Sequence, residues 1–139
     1  MKATHLFIVV GAIGFAFHWW NSRGNEAALA QKSPNGFVSV VMPEGVNKNT
    51  VVILAPVNCP SDAAQRADAL ANELTRLGIS NIRSSSYSAD IADPTAEQKA
   101  GLERAVSILE GEIPVVFING RGKANPTAED VVAEYTRTK

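Results

Sequence analysis

A single cysteine, Cys59, stands in the stretch ILAPVNCPSDAAQ (residues 53–65), where β-forming residues give way to an alanine-rich helical pattern. A thiol at a helix start is a candidate nucleophile. The thiolate is the reactive form, free cysteine titrates near about 8.5, and unpaired amides at the positive end of a helix favour ionisation. With Cys59 as N-cap, Pro60 takes the first helical position and fixes the entry angle, while Ser61 and Asp62 complete the turn. Asp62, at the third helical position, works the other way, because its carboxylate competes for the same amides and disfavours a neighbouring negative charge. No second sulfur follows. A dithiol cycle is closed to Cys59-Pro60-Ser61-Asp62, which leaves a monothiol route through a mixed disulfide resolved from outside. The competing reading is a small, buried, inert cysteine.

Other chemistries find little support. One cysteine excludes an intramolecular disulfide and any multi-cysteine metal site. The two histidines, His5 and His18, both lie near the start, away from any carboxylate cluster, so no metal is expected. A net charge of −1 and the absence of a basic stripe exclude a nucleic-acid partner. GRGK (residues 120–123) has the look of a phosphate grip, yet hairpin-turn chemistry explains it without a ligand. SSSYS (residues 84–88) reads as a polar edge strand.

The elements that must position Cys59 begin well downstream of the N-terminus. Residues 6–20, LFIVVGAIGFAFHWW, carry no charge and, extended by their neighbours, approach the length of a membrane span with Trp19 and Trp20 at an interface. Residues 1–22 are therefore a membrane anchor, or else a signal segment cleaved after the ALA at residues 28–30. Either reading puts the remainder outside the cytoplasm, as a single-pass anchored domain or a secreted or periplasmic one. Residues 23–49 read as a tether with a possible extra strand in FVSVVMP (residues 37–43), and residues 50–139 as the folded domain.

Within that domain TVVILAPV (residues 50–57) has the continuous apolar run of a strand buried on both faces. A helix over residues 60–77 follows, with Ala63, Ala67, Leu70, Leu74 and Leu77 as its inward stripe and Gly78 as its stop. ISNIRSSSYS is a polar peripheral strand. ADPTAEQ opens a second helix, with Asp93 as cap, Pro94 in the first turn, and Leu102, Ala105, Val106 and Leu109 inward. PVVFING and RGKA form a hairpin around Asn119-Gly120. The last helix is capped by Thr127 with Asp130 three residues on, and turns Ala128, Val131, Val132 and Tyr135 inward.

This order, with VVILAPVNCPSD leading into the first helix and EIPVVFINGRGKA as a proline-led hairpin, resembles the thioredoxin-like superfamily, and most closely its glutaredoxin branch. The resemblance implies an α/β fold of βαβαββα order, a central mixed sheet flanked by helices, preceded here by the N-terminal transmembrane or signal helix. It also implies a cis bond before Pro114, placed beside Cys59, with the Ile113 backbone free to pair with an extended thiol-bearing substrate. Such strand addition relies on main-chain hydrogen bonds. Pro60, Ser61, Asp62, Ile113, Pro114, Thr127 and Asp130 would line the substrate site around catalytic Cys59. No resident cofactor is implied. Glutathione, the small thiol of monothiol glutaredoxins, would meet Asn58 and ANPTAED where that branch has a lysine and a double glycine.

Two functions follow from the resemblance. One is monothiol thiol–disulfide chemistry at Cys59 on envelope proteins or low-molecular-weight thiols. The other is a redox-inactive, membrane-tethered module that holds a peptide-like partner in the same groove.

Overall fold

The computed structural model describes residues 32–56 and 61–139. The expectations for the anchor, for the ALA cleavage motif and for the first residues of the tether lie outside these, as do those for Cys59 and Pro60.

Four-residue runs build most of a five-stranded mixed sheet. Its strands are β1 (Val38–Ser39), β2 (Val51–Leu54), β3 (Asn81–Ser84), β4 (Val115–Ile118) and β5 (Arg121–Ala124), in the order β1-β5-β4-β2-β3. Val, Ile, Leu and Phe fill β2 and β4, and all eight residues are buried, as central strands covered on both faces require. β2 and β3 are parallel, with Leu54 opposite Ser84. β4 runs antiparallel to β2, with Leu54 opposite Val115, and returns through β5, with Val115 opposite Ala124. The hairpin turn is Asn119-Gly120, both in the left-handed region (φ 46° and 78°), the pair of dihedrals that suits the twist of the flanking strands. β1 closes the far edge, antiparallel to β5.

Among the described residues three helices accompany the sheet: α1 (Asp62–Arg76), α2 (Ala96–Leu109) and α3 (Ala128–Thr138). Their starts are fixed by side chains that accept amide hydrogen bonds in place of absent carbonyls. Thr127 caps α3, and Asp130 completes a capping box, as the sequence indicated. The caps of the other two fall later than expected. Ser61, not Cys59, caps α1, its hydroxyl accepting from the Ala64 amide, so Asp62 is the first helical residue rather than the third. Thr95, not Asp93, caps α2, because it can form a capping box with Gln98, whereas Asp93 sits at φ 50° in the preceding turn.

The inward stripes shift with the caps. α1 buries Ala64, Ala67, Leu70 and Leu74, and leaves Leu77 exposed where Gly78 (φ 75°) turns the chain away. α2 buries Gly101 and Ala105, while Val106 is 52% exposed. Gly101 belongs on that face because a methyl there would come within 3.2 Å of Val41 Cγ2.

The sheet separates two apolar layers. On one face Val51, Ile53, Val116 and Ile118 pack with Phe37, Ala67, Leu70, Leu74 and Val131, so α1 and α3 lie together there. On the other, Val52, Leu54, Val115 and Phe117 pack with Val40 and Ala105, with Ile108, Leu109 and Tyr87 against them. At about 25 cal/mol per Å2 of apolar surface, each fully buried Phe, Ile or Leu contributes roughly 1.5–3 kcal/mol.

The segment after Ser33, read from sequence as the end of a tether, is part of this packed unit. Phe37 is fully buried, and the Ser33–Gly36 turn is fastened by charged groups. Asn35 Nδ2 donates to Glu134 Oε2 (3.0 Å), and Lys123 Nζ donates to the Asn35 carbonyl (3.0 Å) and to Asp130 Oδ2 (3.0 Å). Glu134 is fully buried on α3 and pairs with Arg137. Burial pushes its carboxyl up, but hydrogen bonds from Arg137, Asn35 and Ser33 together hold it below its ordinary value.

Candidate functional site

The registers gather one set of strand ends at a single edge of the sheet. Leu54 ends β2, Ser84 ends β3 and Ala124 ends β5, all level with Val115 at the start of β4. The connections that leave this edge are residues 55–61, 85–95, 110–114 and 125–127. Two of them lead straight into the capped starts of α1 and α3. In open α/β sheets this is the edge where ligands bind, because loops and helix N-termini converge there. Cys59 lies in the sequence between Pro56 and Ser61, the described residues on either side of it.

Pro114 is buried at the centre of the edge, behind a cis Ile113–Pro114 bond. Its carbonyl accepts from the Asn125 amide (2.7 Å), which closes the ladder between β4 and β5. Ile113 is half-buried, with its side chain against the α2 layer. Its carbonyl is not free, as the sequence reading had it: Arg66 Nη2 donates to it at 3.0 Å from the exposed side of α1.

Hollows lie on both sides of this pair. One, of about 250 Å3, is bounded by Arg66, Leu70, Pro114, Asn125 and Pro126, between the starts of α1 and α3. The other, of about 380 Å3, lies on the α2 side, lined by Leu54, Pro56, Tyr87, Leu109 and Ile113. Tyr87 forms its wall. The ring packs on Phe117 at 5.3 Å between centroids, the hydroxyl donates to the Val41 carbonyl (2.8 Å), and burial pushes the phenol up.

The remaining expected site residues divide between this edge and local duties. Ser61 is engaged in capping, and Asp62 is exposed in the first turn of α1. Thr127 and Asp130, expected to line the substrate site, are paired with each other. The Thr127 hydroxyl accepts from the Asp130 amide (3.1 Å), and Asp130 Oδ2 accepts from the Thr127 amide (3.2 Å). The Lys123 ammonium holds the Asp130 carboxyl below its usual range against desolvation, with the Thr127 contacts adding to the effect. Neither group has its capping atom free for a ligand.

Three positions went unmarked or underweighted in the sequence. Arg66 stands about one turn beyond the cap of α1, but its sequence position does not show that it reaches the Ile113 carbonyl. Arg83, at the end of β3, aims Nη2 at the Pro56 carbonyl (3.4 Å) and Nε at Asp68 (3.2 Å), against the connection that carries Cys59. Nothing in NIRS distinguishes that arginine from a solvated one. Tyr87 was hidden in a serine run. Among the described residues no group of three or more His, Cys, Asp or Glu side chains is placed to hold a metal ion, and no helix is long and apolar enough to cross a membrane.

No protein-family model matches this chain, and neither a curated protein nor a solved structure matches it.

Proposed function

We propose that this chain is a thioredoxin-like domain, tethered to a membrane by its N-terminal segment, that docks extended thiol-bearing polypeptides beside Pro114 and exchanges disulfides with them through Cys59. The observation that carries the reading is the pairing of Leu54 with Val115. It brings the end of β2, from which the Cys59 connection leaves, level with the Ile113–Pro114 start of the hairpin. The strand order β3-β2-β4-β5, one parallel crossover through α1 and a C-terminal helix after the hairpin support the same reading. Strand addition at the Ile113 backbone would present a substrate sulfur across the edge, and the hollows to either side suit alternate side chains of an extended segment.

The chemistry is a single exchange. The Cys59 thiolate attacks a substrate disulfide, one substrate sulfur joins Cys59, and the other leaves as a thiolate. A thiol from outside then resolves the mixed disulfide. No glutathione-specific grip is invoked, since Thr127 and Asp130 are occupied.

One observation favours the second reading, a redox-inactive binding module. Ser61 supplies the cap of α1 and Asp62 puts a carboxylate in its first turn, so the helix start offers a thiolate less than a cap cysteine would have. The two readings separate when the full-length chain in detergent is offered a short cysteine peptide activated as a mixed disulfide with thionitrobenzoate, beside the symmetrical small-molecule disulfide. Exchange expects the peptide to react at least roughly tenfold faster, and Cys59→Ser to abolish the reaction. A module without chemistry would retain the peptide reversibly in wild type and Cys59→Ser alike.

A further inference from the structure

We infer that Arg66 is a latch on the docking edge: its guanidinium occupies the Ile113 carbonyl, and an incoming strand must displace it to pair there. The inference rests on the reading above and adds how access to that same site is controlled.

The backbone leaves few acceptors at this edge. Val115 is already paired with both Leu54 and Ala124, and the Pro114 carbonyl is held by the Asn125 amide. The Ile113 carbonyl is thus the first acceptor of the hairpin that lies beyond the sheet ladder, the one from which an added strand would begin its hydrogen bonds. It is also the one that Arg66 takes, at 3.0 Å, across 47 positions of sequence. Arg66 is exposed on α1 and forms no ion pair among the described residues, although Asp62 lies four positions before it. The guanidinium is therefore directed across to the carbonyl rather than along its own helix.

Its position has a second consequence. Arg66 borders the 250 Å3 hollow with Leu70, Pro114 and Pro126, so the head group sits where every second side chain of an added strand would turn in. Displacement frees an acceptor and a side-chain space together. The hydrogen bond is solvent-exposed, so its removal is worth roughly a three- to tenfold change in peptide capture, in line with one exposed bond. A small disulfide that does not pair with the backbone gains nothing from it.

The test compares the full-length wild type with Arg66→Met, which keeps the stem and the helix propensity. Each is reacted with the activated cysteine peptide and with a twin whose backbone amides flanking the cysteine are N-methylated. Released thionitrobenzoate reports each exchange, and circular dichroism checks that α1 is intact. Arg66→Met is expected to capture the plain peptide roughly three- to tenfold faster and to leave the methylated twin unchanged. Equal or slower capture of the plain peptide overturns the latch, and so does equal acceleration of both probes. Wild type treating the two peptides alike would overturn strand addition itself, a failure distinct from that of Arg66, and the latch would fall with it.

Discussion

The two ends of β4 solve the same problem in opposite ways. At the Asn119 end the asparagine side chain of the turn is tied on both its oxygen and its nitrogen. The Asn49 amide donates to Asn119 Oδ1 (2.8 Å), and Asn119 Nδ2 donates to Asn49 Oδ1 (2.9 Å) and to Thr138 Oγ1 (3.1 Å), all half-buried. At the Pro114 end the comparable bonds are exposed. Arg66 reaches the Ile113 carbonyl, Asn125 reaches Glu112, and hollows lie to either side. One end is closed by reciprocal bonds that shield each other from water. The other is covered by long side chains that water can replace. A strand can hold both, because its middle, Val116 and Phe117, is fully buried and anchors the fold independently of either end.

Substitutions should break that contrast unequally. The largest effect is expected at the closed end. Asn119→Ala removes three half-buried hydrogen bonds and leaves a residue with no side-chain acceptor at φ 46°, at a loss of about 2–4 kcal/mol in chemical denaturation. Truncation at the open end, Asn125→Ala, meets the same backbone penalty at φ 47° but loses only an exposed bond to Glu112, so its loss should be smaller by about 1–2 kcal/mol in the same measurement. Equal losses at both ends would remove the distinction.

Ser61→Ala acts at the start of α1 instead. It leaves the Ala64 amide without its acceptor and should lower stability by about 1 kcal/mol. A Cys59→Ala variant should melt within a degree or two of wild type if Ser61 alone supplies the cap.

Acid sharpens the comparison from another side. Glu134 and Asp130, which fasten the Ser33–Gly36 turn and the start of α3, both have carboxyls held below their ordinary values in the folded chain. A depressed folded value means that the unfolded chain binds protons first as pH falls. Their contribution is therefore fully present above the unfolded carboxylate range near about 4, and is lost as pH drops through the lower folded values. Thermal melting followed from pH 7 to pH 3 should show this loss, and Glu134→Gln should flatten the acid limb while lowering the plateau. An unchanged acid limb in that variant would show that the buried carboxylate is not what the protons reach.

Much of the fold was legible in the sequence because its signals are local and strong. The continuous Val/Ile runs marked β2 and β4, Asn119-Gly120 marked the hairpin, and Thr127 with Asp130 marked the start of α3. The caps of α1 and α2 were misplaced because several acceptable residues stand in a row there. The choice among Cys59, Ser61 and Asp62, or between Asp93 and Thr95, depends on which hydroxyl meets a free amide once the chain has turned. Glu134 was invisible for a related reason. A glutamate on a helix normally faces water, and only the returning Ser33–Gly36 turn, about a hundred residues away, both covers it and satisfies it. Arg66 and Arg83 act on backbone carbonyls brought near by the sheet, and no spacing in the sequence encodes that.

The central claim, that the Pro114 end is a working edge with Cys59 as its reactive group, meets its most direct test in the alkylation of Cys59 across pH in the native full-length chain. The account predicts that Cys59 is labelled without denaturant, with a midpoint at or below about 8.5. Labelling that begins only after the protein is unfolded would make Cys59 a buried structural residue and contradict the account.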